Sequence, residues 1–163
     1  MSKNVVIVSA VRTPIGKFMG SFSDIKAQTL GAVVIKEIIK RTGITPAIID
    51  EVIIGNIVGT EPKGNPAREA LLEAGVPITV PAFTVNKNCA SSVKSISLAA
   101  ALIKAGEADI ILAGGMENMT KIPYVLRNAR RGFRMGDQKA EDLLGQLLEG
   151  MGMTAERLAE KYN

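Results

Sequence analysis

The stretch Phe83–Gly115, FTVNKNCASSVKSISLAAALIKAGEADIILAGG, decides the fold. Phe83-Thr84-Val85 is a short strand of β-favouring residues that ends at Asn86. Cys89 opens a helix that continues to Ala105 and stops at Gly106, the residue type that closes helices in the left-handed conformation. Apart from Lys94 and Lys104, residues 89–105 are small or apolar, among them Ile96, Leu98, Leu102 and Ile103. A helix with almost no polar face is expected to be buried, usually between two layers. Asp109 to Ala113 then forms another strand, and Gly114-Gly115-Met116-Glu117-Asn118 turns out of it. Strand, helix and strand in this order imply a mostly parallel sheet.

The same texture extends upstream. Val5 to Ser9 is a β-branched run expected to be a buried strand, and Arg12-Thr13-Pro14-Ile15-Gly16 is a loop by its proline and glycine. From Lys26 to Arg41, Leu30, Val34 and Ile38 recur every four residues, with Ala27, Val33 and Ile35 widening the stripe into an amphipathic helix that Thr42-Gly43 ends. Glu51 to Val58 is a strand through Val52, Ile53, Ile54 and Ile57. A Gly/Pro/Asn-rich loop follows, and Asn65-Pro66-Ala67-Arg68 starts a helix that runs to about Ala74. The expectation is an α/β fold with a mostly parallel sheet covered by helices on both faces.

After Asn118 no strand is evident. Between Met119 and Ala140 stand Lys121, Arg127, Arg130, Arg131, Arg134 and Lys139 against the single acid Asp137. This segment carries +5 of a chain whose total is +4, so the remainder is nearly neutral. Such a patch is suited either to phosphates or to solvent and subunit contact; a nucleic-acid motif is missing. Met153-Thr154-Ala155-Glu156 begins a helix with Thr154 as cap, and the sequence stops at Asn163, so the fold is expected to continue on other residues.

Composition narrows the chemistry. The 163 residues include one cysteine and no histidine. A Ser-His-Asp or Cys-His device, a Cys-rich zinc site and an internal disulfide are therefore excluded within these residues. No apolar run approaches the ~18 residues of a membrane span and no signal peptide is present, so the cytoplasm is the expected compartment. Cys89 is the candidate nucleophile. It precedes a helix N-terminus, where unpaired amides and the helix dipole stabilise negative charge, and its own N–H is placed to donate to an oxyanion. The alternative role is that of a small buried apolar residue.

The run Val85-Asn86-Lys87-Asn88-Cys89-Ala90-Ser91-Ser92-Val93 resembles the acyl-enzyme signature of the thiolases, acetyl-CoA C-acetyltransferases among them. Ser9-Ala10-Val11-Arg12-Thr13-Pro14-Ile15-Gly16, Gly64-Asn65-Pro66-Ala67-Arg68 and Ala113-Gly114-Gly115-Met116-Glu117-Asn118-Met119 resemble family segments in the same order. The resemblance implies the N-terminal half of a layered αβαβα fold, with residues 1–118 as an α/β domain and 119–163 as the start of an inserted loop domain. It implies that Cys89 accepts an acyl group from acyl-CoA, in joining two acetyl-CoA molecules to acetoacetyl-CoA or in the reverse thiolysis. Met151, in Gly150-Met151-Gly152, falls where the family borders its acyl pocket. CoA thioesters are then substrates, with no separate cofactor and no metal.

The pattern also departs from the family. Gly150 stands where a histidine is usual, Ala90 replaces the more frequent glycine, and the stretch from Gly136 to Gly150 is shorter than the usual connection. The second-half motifs (a Gly-His-Pro histidine, a second cysteine and an Asn-Glu pair) have no counterpart. The expected partner is therefore a C-terminal thiolase half, in a homo- or hetero-oligomer, dimer or tetramer, with neither nucleic acid nor membrane. The alternatives are a catalytically dead fragment or assembly module and a ketoacyl-synthase-like condensing enzyme.

Overall fold

The computed structural model describes residues 4–59 and 64–162. The chain divides into two compact units, Met1–Asn118 and Met119–Asn163. In the first, helices α1 (Ala27–Thr42), α2 (Pro66–Glu73) and α3 (Ser91–Ala105) accompany strands β1 (Glu51–Gly55), β2 (Ala82–Val85) and β3 (Ile111–Gly115). The strands form one parallel sheet in the order β2-β1-β3, with Val52 opposite Ala82 on one side and Leu112 on the other.

Strand alternation divides the sheet between two layers. Val52, Ile54 and Leu112 enter a buried cluster with Ala27 and Ile35 of α1 and Ala67, Ala70 and Leu71 of α2. Ile53 and Gly55 point the other way, beneath α3. The expected parallel sheet with helices on both faces is what the chain forms.

Caps account for the end of α1 and the start of α2. Gly43 closes α1 with φ 65° and donates its N–H to the Ile39 carbonyl. Asn65 caps α2 by accepting from Arg68 N, and its amide donates to the Ala82 carbonyl 2.9 Å away, tying the helix start to β2. The Arg68 guanidinium donates to the carbonyls of Val80 and Ile78, fastening the loop that leads into β2. The Asn65–Arg68 segment thus serves a helix–strand junction. The Gly/Pro/Asn-rich loop expected before it lies partly, at 60–63, outside the described residues.

Several expectations change. Val5 to Ser9 forms no strand; Val6, Ile7 and Val8 are 73, 78 and 79% exposed. A β-branched run becomes a strand only when a neighbour supplies the ladder, and among the described residues β3 pairs with β1 alone. Second, α3 is packed on one side only: Ser91, Ser95 and Ala99 face the sheet, while Val93 and Ile96 are 70 and 47% exposed. Its smallest residues make the close contact, so the large apolar ones face away. Third, α4 of the second unit runs from Leu143 to Tyr162, with Thr154 inside it rather than at its cap. Asp142 accepts from Leu144 N at its start, and the Thr154 hydroxyl donates to the Gly150 carbonyl. Contrary to the expectation of no strand after Asn118, the second unit also contains a short antiparallel pair, β4 (Tyr124–Val125) with β5 (Glu141–Asp142), because backbone pairing of two residues needs no β-branched run. Among the described residues, no helix is long and apolar enough to cross a membrane.

Candidate active site

Three parallel strands end side by side, and their carboxyl ends make the site, the usual place for ligands on an open parallel sheet. After β2 the chain turns tightly through Asn86-Lys87-Asn88 into α3. Asn88 is in the left-handed conformation, φ 47°, which asparagine tolerates better than most residues. Ala90 N donates to the Lys87 carbonyl and Ser91 N to the Asn88 carbonyl. The Ser91 hydroxyl closes the turn from inside, accepting from Lys87 N at 2.9 Å and donating to the Asn88 carbonyl at 2.5 Å.

Cys89 lies on this turn with an exposed thiol. Within this chain it is not packed into a core as a buried apolar cysteine would be. Helix α3 starts two residues later than expected, at Ser91, with Ala90 as N-cap. Alanine has no side-chain oxygen, so no side-chain cap satisfies the first-turn amides beside the thiol. A cavity of about 240 Å³ opens here, lined by Asn56 and Ile57 after β1, Asn88, Cys89 and Ser92, and Glu117 after β3.

Two glycines allow this approach. A Cβ on Gly55 would lie 2.5 Å from Ser91 C and 2.6 Å from Ser92 N, and one on Gly115 would lie 1.8 Å from Ser92 Oγ. The first turn of α3 therefore rests directly on strand backbone. Ser95 Oγ donates to the Gly114 carbonyl at 2.7 Å, fixing the next turn to β3.

Glu117 is the titratable group that sequence reasoning did not single out for chemistry. Burial pushes its carboxyl above the usual range, against the lowering effect of the Ile57 and Val58 N–H groups and the Asn56 amide. The signal was available, as an acid inside an otherwise apolar and glycine-rich strand end. Met151 belongs to the second unit, on α4, where its side chain is 70% exposed. In the basic segment, Arg127 Nε donates to Glu141 Oε2 at 2.6 Å, so that arginine is ion-paired within its own hairpin. Among the described residues, no group of three or more His, Cys, Asp and Glu side chains is arranged to hold a metal.

A parallel sheet with a cysteine turn at its carboxyl edge and a helix seated on two strand glycines defines a class. Over residues 5–163 the chain matches the N-terminal domain of thiolase, and it belongs to the thiolase family. A probable acetyl-CoA acyltransferase of Staphylococcus aureus strain COL is 52% identical over 167 aligned residues, which cover 97% of this chain and 42% of that protein. Its counterpart in strain NCTC 8325 / PS 47 is 51% identical over the same shares. The crystal structure of the Bacillus anthracis acetyl-CoA acetyltransferase superposes with a TM-score of 0.93 at 38% identity, covering 99% of this chain and 42% of that one. The chain thus spans about two fifths of the length of these relatives.

Proposed function

We propose that this chain is the N-terminal part of a thiolase that moves an acyl group between CoA thioesters through a thioester on Cys89. The observation that carries this reading is the exposed Cys89 thiol at the uncapped start of α3, within a cavity at the carboxyl ends of three parallel strands. In the first step the Cys89 thiolate attacks the acetyl-CoA carbonyl, and the tetrahedral oxyanion collapses with departure of the CoA thiolate, which takes up a proton. In the second, a base removes an α-proton from another acetyl-CoA. The resulting carbanion attacks the acyl carbonyl, releasing acetoacetyl-CoA and restoring the Cys89 thiolate. The N–H of Cys89 and the first-turn amides of α3 are the donors for the oxyanion.

The chain has no histidine, so the proton acceptors for turnover are assigned to a C-terminal thiolase half, with which this chain forms the oligomeric enzyme. Met151 is assigned to the border of the acyl pocket on the resemblance of Gly150-Met151-Gly152 alone.

The test supplies the remaining part of the Staphylococcus aureus relative as a second chain, adds acetyl-CoA, quenches in acid and locates acetyl groups by mass spectrometry. Acetylation is expected on Cys89, and Cys89→Ser is expected to lower turnover at least about 10²-fold because an alcohol is far harder to deprotonate than a thiol. Turnover that survives Cys89→Ala, or acetyl found only at other residues, overturns the assignment. No acetylation in a stable complex favours an assembly module without chemistry.

A further inference from the structure

Glu117 is half-buried at the end of β3 and takes no part in the acyl-transfer steps above. Both of its oxygens are engaged. Oε2 accepts from Ile57 N at 2.7 Å and Oε1 from Asn56 Nδ2 at 3.0 Å. The same Asn56 amide donates to the Met116 carbonyl at 2.9 Å, which fixes which way it faces. The hydrogen bonds then continue toward the nucleophile. Asn86 Nδ2 donates to the Ile57 carbonyl at 2.8 Å, and Asn86 Oδ1 accepts from Asn88 N at 2.9 Å, the residue whose left-handed turn presents Cys89.

We propose that Glu117 is a positioning residue for Cys89, holding the turn after β1 so that Ile57 and Asn86 set the Asn88–Cys89 turn. The chemistry requires a carboxylate. The Ile57 and Val58 N–H groups and the Asn56 amide all donate to it, and none of these donors can be replaced by an acceptor. A glutamine would turn its own NH₂ group toward Ile57 N or toward Asn56 Nδ2, and reversing the Asn56 amide would set its oxygen against the Met116 carbonyl. An aspartate is one methylene short of reaching these donors. The connection runs from β3 through β1 to the β2–α3 turn, so it makes the strand ends one unit behind the thiol.

This inference rests on Cys89 as the acyl acceptor, and its test reads the thiol directly, so the two fail separately. Cys89 is the sole cysteine, so iodoacetamide alkylation of the 163-residue chain reports on it alone. Rate against pH is measured for wild type, Glu117→Gln, Asn86→Ala and the double variant, with Glu37→Gln on the exposed face of α1 as control. Glu117→Gln is expected to change the rate at pH 7 by about three- to tenfold, the span of one net hydrogen bond, and to displace the rate–pH profile. Asn86→Ala should do the same, and the double variant should add little to either single change, because both cut one connection. Should Glu117→Gln fail to fold by circular dichroism, Glu117→Asp, which keeps the charge and loses the reach to these donors, is measured in its place, and a wild-type rate and profile in it likewise overturns the proposal. A wild-type rate and profile in Asn86→Ala, or in folded Glu117→Gln, overturns the proposal, as does full additivity. Loss of Cys89 acetylation in the two-chain assay with these alkylation effects intact would overturn the acyl-acceptor role and leave the positioning role standing.

Discussion

Gly55→Ala isolates what the contact between α3 and the sheet requires. Gly55 has an ordinary strand conformation, so alanine there is permitted by the backbone, and its smaller unfolded-state entropy alone would stabilise by ~0.5–1 kcal/mol. The added methyl, however, would sit 2.5 Å from Ser91 C and 2.6 Å from Ser92 N. These are backbone atoms of a helical turn and have no rotamer by which to move aside. Overpacking costs ~1–3 kcal/mol, and rigid neighbours on two sides put this site near the upper end. The net expectation is a destabilisation of ~2 kcal/mol, which lowers the urea midpoint by about 1 M. Gly115→Ala makes the contrast. Its methyl meets Ser92 Oγ at 1.8 Å and Ser92 Cβ at 2.9 Å, both in a side chain that is exposed and can be removed. Adding Ser92→Gly should therefore recover most of the loss in Gly115→Ala and almost none in Gly55→Ala. Urea unfolding followed by circular dichroism measures all four. A Gly55→Ala protein as stable as wild type, or one that Ser92→Gly repairs, would refute the backbone-contact account.

Glu117 also predicts a pH dependence. Burial raises its pKa in the fold above the ordinary 4.5, so the stability linked to its protonation is fully present below 4.5 and is lost as pH rises through the folded value. Wild type should lose stability relative to Glu117→Gln across that interval; an equal slope for both proteins, or the opposite one, contradicts the burial argument. In the two-chain enzyme, Arg131→Ala is expected to raise the KM for acetyl-CoA severalfold more than for a pantetheine thioester, as loss of a phosphate contact would. Arg127→Ala, whose guanidinium is held by Glu141, should change both KM values about equally, and its exposed ion pair should be worth at most ~1 kcal/mol of stability. Equal effects of Arg131→Ala on the two substrates would place that arginine at the surface or an interface.

What could be read from residues alone was local. Leu30, Val34 and Ile38 set α1, Pro66 and Asn65 set the start of α2, and Gly43 and Gly106 set helix ends, because each depends on neighbours within four residues. Cys89 between a strand and a helix was legible for the same reason, since the turn that exposes it is built from Asn86 to Ser91. Other features depended on chain far away in sequence. Val5 to Ser9 has the composition of a strand, yet pairing needs a neighbouring ladder that composition does not encode. Gly55 and Gly115 looked like ordinary strand and turn residues until α3 came down on them. The role of Glu117 likewise appeared only when Ile57, sixty residues earlier, turned its N–H toward it at 2.7 Å. Periodicity fixes which way a side chain faces along its own element; only packing decides what it meets there.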